Sequence, residues 1–472
     1  MGKDMSYEAV MSRNNEIMKK AVGIDYTQFE YDGIGFNYEK MMNKTGYDLN
    51  EIIKIQEEGD VGNTPVYELK NLTKIARKLA PEGKGARIFL KDEASNPSGS
   101  FKARRASVSV YHAKKNGYKG VVAATSGNYG AAVASQAVKR GLKPIIIQEV
   151  YDSTGAGQPE IIEKGRKCEA YGSEVLQLSV GPELFYTFLK VLEETDYFNA
   201  SLYTPFGIAG VETLGYELAE EIREKTGKFP EKVIVTNAGG GNLTGTARGI
   251  NKAGAEDTEI VAASVDLSGL HMASDKDFNR KSFTTGHTGF GIPFLTWPDR
   301  SDVPRSAARA IRYLDRYVTV TQGEVFYITE ALAQIEGIER GPAGNTSLAA
   351  AFSIAQEMDE DEILVVQETE YTGAGKHPTA QLTFAKKNGI EVKRGNPRKE
   401  IPGKSIIIPD SPGKIKAQDL DVVKLKKSHI KKIIEFNKVD KLSEKDMEYI
   451  IEETNTDYEF VKDTLNEMNV EV

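Results

Sequence analysis

Cysteine is almost absent from this sequence: Cys168 stands alone among 472 residues. One thiol excludes an internal disulfide framework and suits a reducing compartment. Histidine is scarce as well. The five, His112, His271, His287, His377 and His429, show no ligand spacing, so no transition-metal site is expected. No apolar run approaches the roughly 18 residues that cross a bilayer, and the charged N-terminal stretch lacks an apolar signal region. An excess of basic residues is also missing. Lys and Arg total 61 against 69 Asp and Glu, a formal net charge of −8, which is poor material for gripping phosphate backbones. Nucleic-acid binding and membrane insertion are set aside, and a cytoplasmic location is expected.

What is present is an ordinary globular balance, 40% hydrophobic and 28% charged, in a chain long enough for two domains with appendages. From about Arg87 the sequence alternates short β-branched runs with longer helical patterns. GVVAAT (120–125), PIIIQE (144–149), EVLQLS (174–179), KVIVTN (232–237), EIVAASVD (259–266) and EILVVQET (362–369) read as buried parallel strands. Helical stretches follow most of them, at Asn128–Arg140, Pro159–Tyr171, Gly210–Thr226 and Asn242–Lys252. This rhythm predicts a doubly wound α/β fold, in which ligands sit at the carboxyl ends of strands. Residues 1–60 form a helical N-terminal extension outside the rhythm, and residues 396–472 a C-terminal tail. The charges of the tail's last part, from about Ala417, alternate in sign, so it reads as a solvated helical hairpin; the sharper reading is a contact surface for a partner subunit.

Four turns at predicted strand ends carry chemistry. In NPSGSFKARRA (96–106), Phe101 and Lys102 open a helix after a tight polar turn. Most lysines are surface residues, yet a helix N-terminus is positive and disfavours an ammonium ion, which favours a neutral or imine-forming amine. In ATSGNYG (124–130), Thr125, Ser126 and Asn128 set donors beside free helix N–H groups, a cradle for a carboxylate or simply a capped helix start. In NAGGGNLTG (237–245), three successive glycines let backbone N–H groups converge on one anion; a hinge is the plainer alternative. In TEYTGAGKHP (369–378), the Thr372 hydroxyl suits a heteroaromatic nitrogen or a helix cap. Together they specify an amine, a carboxylate cradle, a phosphate cup and a neutral hydroxyl, the needs of one cofactor, pyridoxal 5′-phosphate (PLP).

NPSGSFKARRA resembles the N-P-[ST]-G-S-[FY]-K signature of the fold-type II PLP enzymes, the tryptophan synthase β family. TSGNYG, NAGGGN, TGAG and GPAGNTSLAAA (341–351) are similar to further motifs of that family and come in its order, over roughly residues 60–390. The resemblance implies two doubly wound α/β domains with PLP in the cleft between them, a large one from 61–103 and 222–395 and a small one from 104–221. It implies Lys102 as the Schiff-base lysine, Phe101 beneath the ring and Asn128 at the cofactor O3′. Ala238, Gly239, Gly240, Gly241 and Asn242 would hold the phosphate, and Thr372 would face the pyridine nitrogen. Thr125, Ser126, Gly127 and Tyr129 would receive the substrate carboxylate.

Within the family, the extended N-terminus and long tail look most like an amino-ketoacid thiolase whose large β subunit carries the PLP. That likeness implies cleavage of 2-amino-4-oxopentanoate by coenzyme A to acetyl-CoA and alanine. It also implies a small α subunit and a homodimer of β subunits within the heteromer. A threonine synthase-like or dehydratase-like lyase using the same lysine is the alternative. Cys168 lies in a charged helical stretch and reads as structural, so thiolysis is expected to use the coenzyme A thiol directly.

Overall fold

The computed structural model describes residues 3–125, 127–151, 155–157, 159–179, 181, 183–267, 283–284, 303, 305–371 and 378–470. The large sheet takes its strands from β1 (Val66–Glu68), β2 (Arg87–Asp92), β7 (Lys232–Thr236), β8 (Glu259–Val265), β9 (Arg316–Val320), β10 (Ile363–Glu368) and β13 (Gln418–Asp419). The small sheet is built from β3 (Gly120–Thr125), β4 (Lys143–Tyr151), β5 (Glu174–Ser179) and β6 (Phe198–Asn199), and β11 (Glu391–Gly395) pairs with β12 (Ser405–Pro409).

The large sheet runs β1-β2-β10-β7-β8-β9-β13, and its five middle strands are parallel. Only the edge strands β1 and β13 are antiparallel. All six residues of β10 are buried, which is why EILVVQET carries no polar alternation: helices cover both faces. The small sheet, β5-β4-β3-β6, is parallel throughout. In a parallel sheet every carboxyl end points the same way, so the turns after β2, β7 and β10 open on one edge of the large sheet.

Three helices bring the turns together by approaching backbone to backbone. The central one, Pro205–Thr226, starts earlier than its sequence pattern indicates. Thr204 caps it by accepting from the Gly207 N–H at 3.3 Å, and Pro205 opens it with a preset φ. A Cβ on Gly210 would stand 2.1 Å from the Arg104 carbonyl, and one on Gly215 2.0 Å from the Thr246 carbonyl. Any side chain there would push away the helix carrying Lys102 (Lys102–Lys115) or the helix after the triple glycine (Gly241–Lys252). The central helix runs through the 221/222 position and is continuous there.

The tail departs from the solvated hairpin expected of it. It folds into three helices, Val422–Asn437, Glu444–Thr454 and Tyr458–Asn466. Ile430, Ile433, Ile434, Met447, Ile450, Val461 and Leu465 are buried in the same apolar core as Val10, Ile17 and Met18 of the N-terminal extension. Glu453, fully buried, accepts from Arg309 and Arg312, and the Asp446 carboxylate accepts from the Ile34 N–H at 2.8 Å. The alternating charges describe the outer faces, while an apolar stripe at helical spacing faces the core.

Candidate active site

The chain reaches Lys102 through a closely held turn. Gly99 has φ +76, and a Cβ there would lie 2.6 Å from the Tyr371 carbonyl. The turn is sewn to the segment after β10: the Tyr371 N–H donates to Gly99 O at 2.7 Å and the Phe101 N–H to Thr369 O at 3.1 Å. Lys102 then opens its helix with Nζ 4.8 Å from the centroid of the Phe101 ring. Beside it, the hydroxyls of Ser98 and Ser100 are buried without a hydrogen-bond partner.

Below this turn lies a buried ionic network. Arg104 donates to both oxygens of Glu93, at 2.7 and 2.8 Å, and to Glu217 at 2.9 Å. Lys91, also fully buried, reaches Glu217 at 2.5 Å and Glu221 at 3.0 Å. Burial alone would raise the Glu217 carboxyl, but the two cations, Arg104 foremost, bring it down from 4.5 to about 2.

The second turn follows β3. The Thr125 hydroxyl accepts from the Gly127 N–H at 2.9 Å and the Gly130 N–H at 3.3 Å. Gly127 lies against Lys164, whose Nζ would be 2.9 Å from a Cβ there, and Lys164 pairs with buried Glu160. The Asn128 amide donates to the Glu370 carboxylate, which is buried at the carboxyl end of β10. Tyr129 departs from its expected place at the substrate. Its hydroxyl is buried and donates to the Ala200 carbonyl at 2.5 Å, which leaves it a packing role.

The third turn is the triple glycine. Gly240 has φ +80, as a sharp bend before a helix requires. A Cβ on Gly239 would fall 1.8 Å from the Tyr203 hydroxyl, and one on Gly241 2.5 Å from an Arg105 Nη atom. Ala238, just before them, is exposed. Asn242 donates to Gln367 of β10 at 2.9 Å, tying the bend to the strand that leads to Glu370. Ser126 and Thr372, together with His271, His287 and His377, lie outside the described residues.

The structure thus joins the Lys102 turn and the Asn128 turn to the segment 369–371 just after β10 by direct hydrogen bonds, and links the triple glycine to β10 itself. Sequence reasoning missed Arg105, Lys164, Glu368 and Glu370. Arg105 had a signal: it stands three residues after Lys102, on the same helix face. Glu370 lies just past the carboxyl end of β10, where ligands bind in open α/β sheets. Glu368 is buried; burial, then the neighbouring Glu370 and Asp92 carboxylates, push its carboxyl well above the usual range.

Cys168 is fully buried, and burial pushes its thiol up to about 12. A thiol that stays protonated is no nucleophile. Cys168→Ser is expected to keep turnover within about twofold, measured on the folded variant; loss of turnover with the fold intact would assign the thiol a chemical role.

The family described as pyridoxal-phosphate dependent enzyme matches residues 58–368, two thirds of the chain. The chain belongs to this family. Each of the three turns lies inside the matched segment. Two curated relatives are similar over the whole length, both named 2-amino-4-ketopentanoate thiolase beta subunit. One, from Acetoanaerobium sticklandii, is 69% identical over 99% of this chain and 100% of its own. The other, from an unknown prokaryotic organism, is 65% identical over all of both. Among solved structures, O-ureido-L-serine synthase shares the fold, with a TM-score of 0.51 and 22% identity over 68% of this chain and 91% of its own.

The residues fit PLP. An amine stands at the mouth of the lysine turn, and the triple glycine is a side-chain-free bend on which Tyr203, Ala310 and Arg105 close so tightly that no Cβ fits. The unpartnered hydroxyls of Ser98 and Ser100 add buried polar atoms beside the amine. The protein is a PLP-dependent enzyme. Among the described residues no helix is long and apolar enough to cross a membrane.

Proposed function

We propose that this chain is the catalytic β subunit of a 2-amino-4-ketopentanoate thiolase, cleaving 2-amino-4-oxopentanoate with coenzyme A to acetyl-CoA and alanine. The observation that carries this is the full-length likeness at 69% and 65% identity, which takes in the N-terminal extension and the tail. The relatives' designation as beta subunits favours a partner, for which a small α subunit is our reading, with a homodimer of β subunits inside the heteromer. The frame for the cleft is the division into 61–103 with 222–395 and 104–221, with the continuous central helix as the strut both share.

When bound, PLP draws electron density from the substrate's α carbon. Lys102 would hold it through its Nζ, and the same amine would serve to move the α proton of the substrate. The N–H groups of the 238–242 bend would hold the phosphate. Thr125, Ser126 and the Gly127 backbone receive the substrate carboxylate, with Lys164 behind Gly127 as the nearby positive charge. Asn128 would meet the ring hydroxyl, held in place by Glu370, and Thr372 the ring nitrogen. With the Cys168 thiol buried and protonated, the coenzyme A thiol itself is the group that attacks the C4 ketone.

The test is product analysis with the full chain and its small partner. Acetyl-CoA formed from 2-amino-4-oxopentanoate and coenzyme A is the expected result. Phosphate release from O-phosphohomoserine, or a 2-oxoacid from threonine, with no thioester formed, would replace this reading by a lyase.

A further inference from the structure

Two arginines follow Lys102, and their surroundings are opposite. Arg104 is fully matched by Glu93 and Glu217. Arg105 is almost as deeply buried, 3% exposed, yet no carboxylate among the described residues pairs with it. One Nη donates to the Leu202 carbonyl at 3.2 Å, and Nε has no acceptor. A buried cation without a counter-charge is costly, and proteins keep one where an anion arrives to complete it.

The position of the guanidinium says which anion. Both Nη atoms and Cζ lie 2.5–3.1 Å from where a Cβ of Gly241 would stand, so the group rests on the triple-glycine bend. Its Cζ is 5.2 Å from the Phe101 ring centroid, the same ring that lies 4.8 Å from Lys102 Nζ. The bend itself offers only neutral N–H groups, which leaves a dianion uncompensated. Burial lowers the Arg105 pKa to about 10, still charged at neutral pH.

We infer that Arg105 is the counter-ion of the PLP phosphate: its guanidinium closes over the 239–241 bend and pairs with the phosphate that the bend holds. One helix then carries both grips on the cofactor, the covalent one at Lys102 and the ionic one a turn later. The inference rests on the bend being the phosphate site, as proposed above.

The test compares PLP with pyridoxal, which keeps the aldehyde and lacks the phosphate, by titrating the full chain freed of its cofactor. In Arg105→Met, PLP should bind about 10- to 100-fold more weakly, the value of a charge-assisted contact, while pyridoxal binding changes less than about twofold; Arg105→Lys should fall between. Because the variant removes an uncompensated charge, its cofactor-free form should melt no lower than the wild type, and its PLP-loaded form lower. In PLP-loaded wild type the ³¹P resonance should stay at the dianion position as pH crosses about 6, the ordinary second pKa of a phosphate monoester. Equal weakening of both ligands, or none, would overturn the role of Arg105. A ³¹P resonance that titrates freely in wild type would do the same should Arg105→Met fail to fold. Wild type binding pyridoxal as tightly as PLP would instead overturn the bend as the phosphate site.

Discussion

Lys102→Ala is expected to lower turnover at least about 10³-fold, because on the proposed reading one substitution removes both the covalent anchor of PLP and the base that moves the α proton. The fold should survive it. Alanine is the best helix former, and the turn that delivers residue 102 is fixed by Gly99 and by backbone bonds to Thr369 and Tyr371 rather than by the lysine side chain. Borohydride reduction followed by peptide mapping is the direct measurement. Wild type should carry the cofactor on the peptide containing Lys102, and the variant should carry none while keeping its melting temperature within a few degrees. Label on another lysine, such as Lys164 beside Gly127 or Lys167, whose Nζ donates to the Ser98 carbonyl at 2.7 Å, would remove Lys102 from the chemistry.

That lysine stands out in the sequence because a helix opening on an amine after a polar glycine turn is locally odd, and oddness is visible in one dimension. The strands were legible for the opposite reason. Runs such as ILVVQE are buried on both faces, so their composition alone marks them. The four residues that the sequence reading missed need the fold to show what they touch. Glu370 matters because the Asn128 amide, 242 residues away, donates to it. Arg105 and Arg104 are adjacent and identical in type; only the fold gives one two carboxylates and leaves the other none. The tail misled because its charges dominate its composition, while Ile430, Ile433 and Ile434 carry the helical spacing that buries it. Tyr129 misled in the reverse direction: its neighbours Thr125 and Asn128 suggest the ligand, but its hydroxyl belongs to Ala200.

The second large effect is expected from Arg104→Met. The substitution is close in volume, so the core stays filled, but Glu93 loses a bidentate partner while fully buried and Glu217 loses one of two cations. Breaking a buried pair by removing one partner costs about 3–5 kcal/mol, far more than an exposed pair is worth. Chemical denaturation should show that loss, and adding Glu93→Gln should restore a substantial part, since the stranded charge is then gone; a loss under about 1 kcal/mol would mean that solvent reaches Glu93. Acid should expose the same network. The Glu217 carboxyl is depressed in the folded protein to about 2 from 4.5, so the stability it contributes is present above 4.5 and lost as pH falls toward 2. In Arg104→Met only Lys91 remains to depress it, and the decline over that window should be shallower. Arg104 also lies in the first turn of the lysine helix, where its N–H donates to the Phe101 carbonyl at 2.9 Å. Loosening its side chain loosens the turn that aims Lys102, so PLP occupancy should fall together with stability, and Glu93→Gln should recover both.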